Sequence, residues 1–255
     1  AGIRNAQRRC RASAFGDHRV SLVPRLAVAL DFENRDDALR NAATLHDHVD
    51  VAKVGLELFI SAGPRLVEEL VGTGWEVFLD LKLHDIPATV AGAVRSAGRL
   101  GVEFMTLHTA GGRSMMEAAV AARVNGTPRL LGVTLLTSLG SEQIREVGYQ
   151  GGTDESVARL ANLAHEAGCD GVVSSPHEAA TIKAVHGEDF LVVCPGIRPA
   201  GASIDDQARV ATASDAIKAG ADILVVGRPI IKASDPAAAA EEIRSEMEHA
   251  YDQRS

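Results

Sequence analysis

Residues 76–100 read EVFLDLKLHDIPATVAGAVRSAGRL, and this stretch contains the unit that decides the fold. A short apolar run, Glu76–Leu81, is followed by a turn and then by an amphipathic pattern, Ala88–Leu100. A strand that leads at once into a helix is the repeating unit of a parallel sheet. The rest of the chain repeats this unit on both sides.

Eight apolar runs of this kind predict strands. They are Leu26–Leu30, Val51–Val54, Glu76–Leu81, Glu103–Leu107, Arg129–Thr134, Gly171–Ser174, Phe190–Cys194 and Ile223–Val226. Helical patterns between them include Ala38–His46, Ala88–Leu100, Ser114–Val124, Ser156–Ala167 and Gln207–Ala219. Eight strands that alternate with helices predict an α/β protein, a (β/α)8 TIM barrel that forms a single domain over residues 25–255. An open doubly wound sheet is less favoured, since no GxGxxG follows the first strand.

Composition places the chain among globular proteins. It has 255 residues, of which 46% are hydrophobic and 24% charged, and no apolar run approaches the roughly 20 residues that span a bilayer. The net charge of −8 argues against general binding of nucleic acid. Three cysteines without a CxxC pair indicate neither a disulfide framework nor a zinc site, and we expect a reducing, cytoplasmic location.

The first 24 residues differ from the rest. Five arginines and a single acid lie within the first 20 residues, a composition that can resemble an organellar transit peptide. The segment lacks an apolar stripe, so we interpret residues 1–24 as a disordered or artificial extension. Two later segments, Leu135–Gly152 and Pro195–Asp206, are long and rich in small residues, and they are predicted to be loops at the active face.

Charged residues end the first three predicted strands. Asp31 follows the first, Lys53 ends the second, and Asp80 and Lys82 end the third. Strand residues alternate between faces, so Asp80 and Lys82 are predicted to point the same way. If that face is the barrel interior, the four charges meet at the mouth, where barrel enzymes place their chemistry. A row of solvated charges or a structural ion-pair network is the alternative interpretation.

A phosphate site is predicted after the last two strands. Strand seven leads into Pro195–Arg198 and strand eight into Gly227 and Arg228, and these loops hold the recurrent phosphate site of TIM barrels. Glycine lets backbone N–H groups approach an anion, and arginine donates a forked pair of hydrogen bonds. A simple turn would also explain a Gly-Arg pair.

The segment DLKLHDIPAT, residues 80–89, resembles the active-site segment of orotidine 5′-monophosphate decarboxylases of the bacterial type. Other matching elements occur in the family's order: ALD ending at Asp31, KVG from Lys53, LLTS ending at Ser138, PGIR from Pro195, Gln207, and Gly227-Arg228. The resemblance covers about residues 25–250. Ala88 departs from the asparagine of many members, at a position without assigned chemistry.

The resemblance implies a cofactor-free and metal-free homodimer that converts orotidine 5′-monophosphate to UMP and CO2 in pyrimidine nucleotide biosynthesis. The implied catalytic residues are Lys82 as the general acid, Asp80 beside the substrate carboxylate, and Lys53 and the partner's Asp85 completing the charged network. The implied substrate contacts are Asp31, Lys53 and Thr89 on the ribose, Thr137 and Ser138 near the pyrimidine, Ile86 and Pro195, and Arg198, Gln207, Gly227 and Arg228 on the phosphate.

Three other functions remain open at this point. The DxKxxD pattern also occurs in Mg2+-dependent relatives that decarboxylate or condense sugar phosphates. A Schiff-base aldolase would use Lys82 as a neutral amine, which two flanking acids disfavour. A non-catalytic phosphate-binding barrel would retain the Gly-Arg loop but would leave the four charges unexplained.

Overall fold

The computed structural model describes residues 23–198 and 211–254. Eight parallel strands close into a barrel in the order of the sequence, β1 to β8. They are β1 Arg25–Ala29, β2 Val51–Gly55, β3 Glu76–Leu83, β4 Phe104–His108, β5 Arg129–Val133, β6 Gly171–Val173, β7 Leu191–Cys194 and β8 Ile223–Val226. The predicted TIM barrel is confirmed, and each predicted strand lies within two residues of its observed bounds.

Helices surround the barrel. They are α1 Arg35–Leu45, α2 Leu56–Ala62, α3 Pro64–Gly72, α4 Pro87–Arg99, α5 Arg113–Ala121, α6 Ser141–Glu146, α7 Thr153–Glu166, α8 Pro176–His186, α9 Ala213–Lys218, α10 Arg228–Ile231 and α11 Pro236–Arg254. Their buried apolar faces pack on the outward face of the strands and form the larger core. Of the predicted helix Gln207–Ala219, the described part is Ala213–Lys218.

One loop prediction is wrong in part. The segment Leu135–Gly152 contains the short helix α6 rather than a continuous loop. Its start is stabilised by the Gln143 side chain, which accepts a hydrogen bond from the Gly140 N–H at 2.9 Å. Ile144 is buried and anchors the helix to the protein. Because the described part of this short helix has a single buried residue, its hydrophobic pattern is too weak to be recognised in a segment rich in glycine and serine.

The barrel interior is a second, smaller core. It is filled by alternate strand residues from all parts of the barrel: Ala27, Ala29, Val51, Phe78, Phe104, Leu131, Leu191, Val193, Ile223 and Val225. Because the side-chain period of a strand is two, the next interior position along each strand lies nearer the carboxyl end. On β2, β3 and β4 those positions are Lys53, Asp80 and Thr106. The apolar interior thus gives way to polar side chains at the mouth.

At the amino ends of the strands, one type of hydrogen bond occurs three times. An aspartate immediately before an even-numbered strand accepts the backbone N–H of the second residue of the preceding strand, and it also pairs with a cation from a helix or its end. The three cases are Asp50 with Leu26 N and Arg244, Asp170 with Leu130 N and Arg123, and Asp222 with Val192 N and Lys183. Each aspartate thereby satisfies a strand-end donor that the sheet itself leaves unpaired.

The predicted extension over residues 1–24 lies outside the described residues, apart from Val23 and Pro24. Within residues 23–198 and 211–254, no helix is long and apolar enough to cross a membrane.

Candidate active site

Four charged side chains meet at the carboxyl ends of the first three strands. Lys53 Nζ lies 3.1 Å from Asp31 Oδ1 and 3.7 Å from Asp80 Oδ2. Lys82 Nζ lies 2.9 Å from both carboxylate oxygens of Asp80. The structure therefore brings together the four residues that the strand-end pattern selected, as a chain of alternating charge that runs from Asp31 through Lys53 and Asp80 to Lys82.

Asp80 is the centre of this array. Its side chain is only 14% exposed, and burial by itself would raise the pKa of a carboxyl group. The ammonium groups of Lys82 and Lys53, with hydrogen bonds from Lys82 and Thr106, outweigh burial and hold the pKa of Asp80 below its ordinary value. Asp80 is therefore ionised at neutral pH. Lys82, 30% exposed, is the member of this pair that opens toward the mouth.

The reason for the approach of Lys82 to Asp80 differs from the one predicted. The regular pairing of β3 with β4 does not continue past Leu79, because its register shifts between Leu79 and Leu83. Lys82 itself has a positive φ of 49°, a left-handed conformation that a residue with a long side chain rarely adopts. An irregular strand end, and not an ideal strand, thus directs the lysine back to the aspartate two residues earlier.

Sequence reasoning missed Thr106. This fully buried residue donates from Oγ1 to Asp80 Oδ1 at 2.9 Å and accepts the backbone N–H of Lys82, also at 2.9 Å. A threonine in the apolar run FMTLH, two residues beyond Phe104, was the available indication, since alternation places both on the interior face. Gly55 was missed as well. A Cβ there would lie 3.0 Å from Lys53 Nζ, so the absence of a side chain lets the lysine reach Asp31.

Two histidines border the array. His108, at the end of β4, lies with its ring centroid 5.6 Å from that of His84. Burial, followed by the positive potential of His84 and Lys82, lowers the pKa of His108 despite the opposing effect of Asp80. His108 is therefore neutral near neutral pH and adds no further positive charge beside Lys82.

The predicted phosphate residues that the structure describes follow β7 and β8, and β8 pairs with β1. Arg228 is the first residue of α10, directly after Gly227. A Cβ at Gly227 would lie 3.5 Å from Asp31 Oδ2, which places this loop next to the first member of the charged array. Gly196 has a φ of 79°, a conformation that favours glycine and turns the chain after β7. Arg198 follows it and donates from its backbone N–H to Ala211 at 3.0 Å. Gln207 lies outside the described residues.

The remaining predicted residues fall into two groups. Pro195 follows β7 directly, and Thr137 and Ser138 occupy a turn after β5 that is closed by the Leu139 N–H bond to Leu136 at 3.0 Å. Asp85, Ile86 and Thr89 are exposed, and among the described residues no hydrogen bond or ion pair joins them to the array of the same subunit. Asp85 Oδ1 accepts a hydrogen bond from the N–H of Ile86 at 2.6 Å. Ile86 is the N-cap residue directly before α4, and no side-chain hydrogen bond caps this helix. Asp85 is thus not a cap of the kind that binds the second or third helical N–H.

In the part of the chain that the structure describes, no group of three or more histidine, cysteine, aspartate or glutamate side chains is arranged to hold a metal ion.

A closed (β/α)8 barrel with a chain of alternating charges at one side of its mouth and Gly-Arg loops after its last strands has the architecture of a catalytic TIM barrel. The chain belongs to the Orotidine 5'-phosphate decarboxylase / HUMPS family, whose model matches residues 24–243. The family predicted from the active-site segment is thereby confirmed.

Individual relatives agree. The chain is 52% identical over 226 residues to an orotidine 5'-phosphate decarboxylase of Halorhodospira halophila, covering 88% of this chain and 96% of that one. It is 50% identical over 226 residues to the protein of the same name from Hydrogenovibrio crunogenus, with the same shares of each chain. A crystal structure of orotidine 5'-phosphate decarboxylase from Lactobacillus acidophilus superimposes with a TM-score of 0.79 at 39% identity, covering 88% of this chain and 99% of that one.

Proposed function

We propose that this protein decarboxylates orotidine 5′-monophosphate to UMP and CO2, without a metal or cofactor. The observation that carries the proposal is the array Asp31–Lys53–Asp80–Lys82 in a chain of this family. The relatives at about 50% identity that bear the name of this activity support it, since they cover nearly the whole of both chains.

The decarboxylation requires a fixed positive charge beside C6 of the pyrimidine ring. When the bond from C6 of the pyrimidine to the carboxylate breaks, the electron pair remains on C6, which no ring carbonyl stabilises by direct conjugation. A positioned ammonium group stabilises that charge and then donates a proton to C6, while CO2 leaves. Lys82 is the donor in this proposal, because its ammonium group is held by Asp80 and opens toward the mouth. Solvent then returns a proton to the Lys82 amine.

Asp80 has two roles. Its carboxylate holds the Lys82 ammonium group in place, because both of its oxygens accept hydrogen bonds from Lys82 Nζ at 2.9 Å. It also lies beside the substrate carboxylate in the proposed complex, where like charges repel and the loss of CO2 relieves the repulsion. Lys53 links Asp80 to Asp31, which together with Lys53 binds the ribose hydroxyls.

The phosphate is bound beside the ribose contacts, by the loops after β7 and β8. Arg198, Gln207, Gly227 and Arg228 are the proposed phosphate contacts, Pro195 lines the same loop, and Thr137 and Ser138 contact the pyrimidine. The proximity of Gly227 to Asp31 supports a continuous path from phosphate to ribose. Binding energy from the phosphate, which is remote from C6, supports the chemical step when it closes the loops over the substrate.

The active unit is proposed to be a homodimer with shared sites. The stretch from His84 to Thr89 is exposed in the single subunit, and Ile86 leaves 66% of its surface open. An open cleft is lined by Asp85, Ile86, Pro87 and the Ala110–Gly111 segment. A second copy of the chain would cover this apolar stretch and would bring Asp85 of the partner subunit, with its Ile86 and Thr89, to the array. The partner's Asp85 would then complete the network that Lys53, Asp80 and Lys82 form in this subunit.

We place the protein in the cytoplasm, as the two described cysteines, Cys169 and Cys194, are both free and buried. The pKa of the Cys169 thiol is raised to about 12, chiefly by burial, so it is a poor partner for disulfide exchange.

The deciding experiment follows the ultraviolet absorbance of orotidine 5′-monophosphate with the purified full chain, with and without EDTA. The proposal expects loss of substrate with formation of UMP at equal rates in both conditions. Turnover that EDTA abolishes would favour the Mg2+-dependent sugar-phosphate alternative, and it would be followed by assays of those substrates. No turnover of the nucleotide, with reversible binding of phosphorylated ligands, would favour a binding barrel.

A further inference from the structure

The strand end that carries Lys82 is irregular at one point. Leu79 of β3 pairs with Met105 of β4, and Leu83 pairs with Leu107. Residues 80–82 are therefore opposed by the single residue Thr106. In a regular parallel pair each N–H finds a carbonyl on the neighbouring strand, and extra residues in one strand lose such partners. The Lys82 N–H is in this position, and it is satisfied by the Thr106 hydroxyl instead of a backbone carbonyl.

The direction of these hydrogen bonds is determined by the donors. A backbone N–H can only donate, so the Thr106 oxygen accepts from Lys82 and keeps its own proton for another partner. That proton goes to Asp80 Oδ1 at 2.9 Å, and a carboxylate accepts it only at an unprotonated oxygen. Asp80 in turn accepts from the Lys82 ammonium group. Backbone of Lys82, Thr106, Asp80 and side chain of Lys82 thus form a closed ring of hydrogen bonds.

This ring contains a costly backbone angle, the positive φ of Lys82. A left-handed conformation at a lysine is unfavourable and persists only where the surroundings impose it. Thr106 is fully buried, and its hydroxyl contacts both the strained residue and the carboxylate that holds the ammonium group. Release of either bond would let the strand end relax and move Lys82 Nζ relative to Asp80.

We propose that Thr106 is a positioning residue for the decarboxylation, which sets the backbone of Lys82 and the orientation of Asp80 together through one hydroxyl group. The inference deepens the proposed function, because it assigns to the proposed proton donor the residue that aims it. Thr106 does not itself touch the reacting atoms in this assignment.

The test compares Thr106→Val, which keeps the shape and removes the hydroxyl, with Thr106→Ser, which keeps the hydroxyl. Thr109→Val is the matched control. Thr109 is also fully buried and lies three residues further on, but its hydroxyl donates to the backbone carbonyl of Val133 at 2.8 Å and not to the array. All three variants and the wild-type dimer are assayed for kcat, KM and thermal unfolding.

We expect kcat of Thr106→Val to fall by about 100-fold, the scale at which misplacement of a catalytic group by about 1 Å acts. KM should change far less, as the phosphate and ribose contacts remain in place. Thr106→Ser should retain kcat within about threefold of wild type, and Thr109→Val should lose stability without a comparable loss of kcat. The proposal is overturned if Thr106→Val keeps wild-type kcat, or if the two valine variants lose kcat equally.

The pH profile supplies a measurement that a purely structural threonine would not change. Asp80 has a lowered pKa in the folded protein, so the ionised array persists above that pKa and is lost as the pH falls through it. Removal of the Thr106 donor raises the pKa of Asp80, and the acidic limb of kcat/KM should move to higher pH in Thr106→Val but stay in place in Thr109→Val. An unmoved limb in a slow Thr106→Val enzyme would reduce Thr106 to a packing residue.

Two further outcomes are covered. If Thr106→Val does not fold, Thr106→Ala takes its place with the same expected kcat and pH shift, because it removes the hydroxyl without placing an isopropyl group near a charge. Wild-type protein that fails to decarboxylate orotidine 5′-monophosphate would refute the proposed function. Active wild type with an unaffected Thr106→Val and Thr106→Ala would refute only the role of Thr106.

Discussion

The ammonium group of Lys82 contacts both carboxylate oxygens of Asp80 at 2.9 Å, although the two residues are separated by only Leu81 on the same strand. In a regular strand, side chains two residues apart project in parallel, about 6–7 Å from each other at their bases. Between these two residues the strand is not regular, because Lys82 has a left-handed backbone and the register with β4 shifts beside it. The pair is the basis of the first prediction.

Lys82→Ala should lower kcat by on the order of 1,000-fold, because a preorganised charge at the reacting centre contributes several kcal/mol to transition-state stabilisation. The substitution lies at the mouth and not in the apolar layers, so the fold should be retained. Steady-state assays with circular dichroism measure both effects. Lys218→Ala, at an exposed position of α9, is the control and should be fully active. Near-wild-type turnover of Lys82→Ala would remove this residue from the proposed role.

Arg228→Ala should raise KM and also lower kcat, each by at least about tenfold, since the phosphate contact is proposed to act in loop closure as well as in binding. Arg159→Ala, an exposed arginine on α7, should leave both constants unchanged. An increase confined to KM would contradict the link between phosphate binding and the chemical step and would leave only a binding role for Arg228.

Mixed dimers should regain activity. Lys82→Ala and Asp85→Ala homodimers are each expected to be inactive, but a heterodimer of the two contains one site with both native residues. By the twofold symmetry of such an interface, up to about half of the wild-type activity per dimer should return. Native mass spectrometry measures the extent of subunit exchange. Complete exchange without activity would exclude shared sites that use Asp85.

The aspartates at the amino ends of the strands should contribute more to the stability of the protein than its surface ion pairs do. Asp170 accepts the Leu130 N–H at 2.7 Å and pairs with Arg123 at 2.6 Å, both partly buried. Asp170→Ala leaves the backbone donor and the guanidinium without this acceptor and should cost about 2–3 kcal/mol. Glu166→Ala removes a solvent-exposed pair with Arg113 and should cost much less stability than Asp170→Ala. Urea unfolding midpoints of the two variants should therefore differ clearly, and equal midpoints would contradict this order.

The fold and the family were predictable from the sequence for physical reasons. The spacing of hydrophobic residues in strands and helices is a local property of the sequence, so eight alternating strand–helix units can be recognised in it. Eight such units are the number that a TIM barrel contains, and this number favoured a closed barrel. The strand-end charges Asp31, Lys53 and Asp80 could be assigned to one mouth, because the carboxyl ends of parallel strands meet at the same end of a barrel. The short helix α6 was missed since it has one buried residue and little periodicity.

Only the tertiary structure decided how the site is held together. The residues that position Lys82 come from another strand: Thr106 is 24 positions away, and its role depends on a register shift between β3 and β4. The close approach of Lys53 Nζ to residue 55 likewise arises from the contact of Lys53 with Asp31 across two strands. Local sequence determines which residues reach the mouth of the barrel. Pairing between strands determines their backbone angles and contacts, because a hydrogen bond across the sheet has no fixed spacing along the chain.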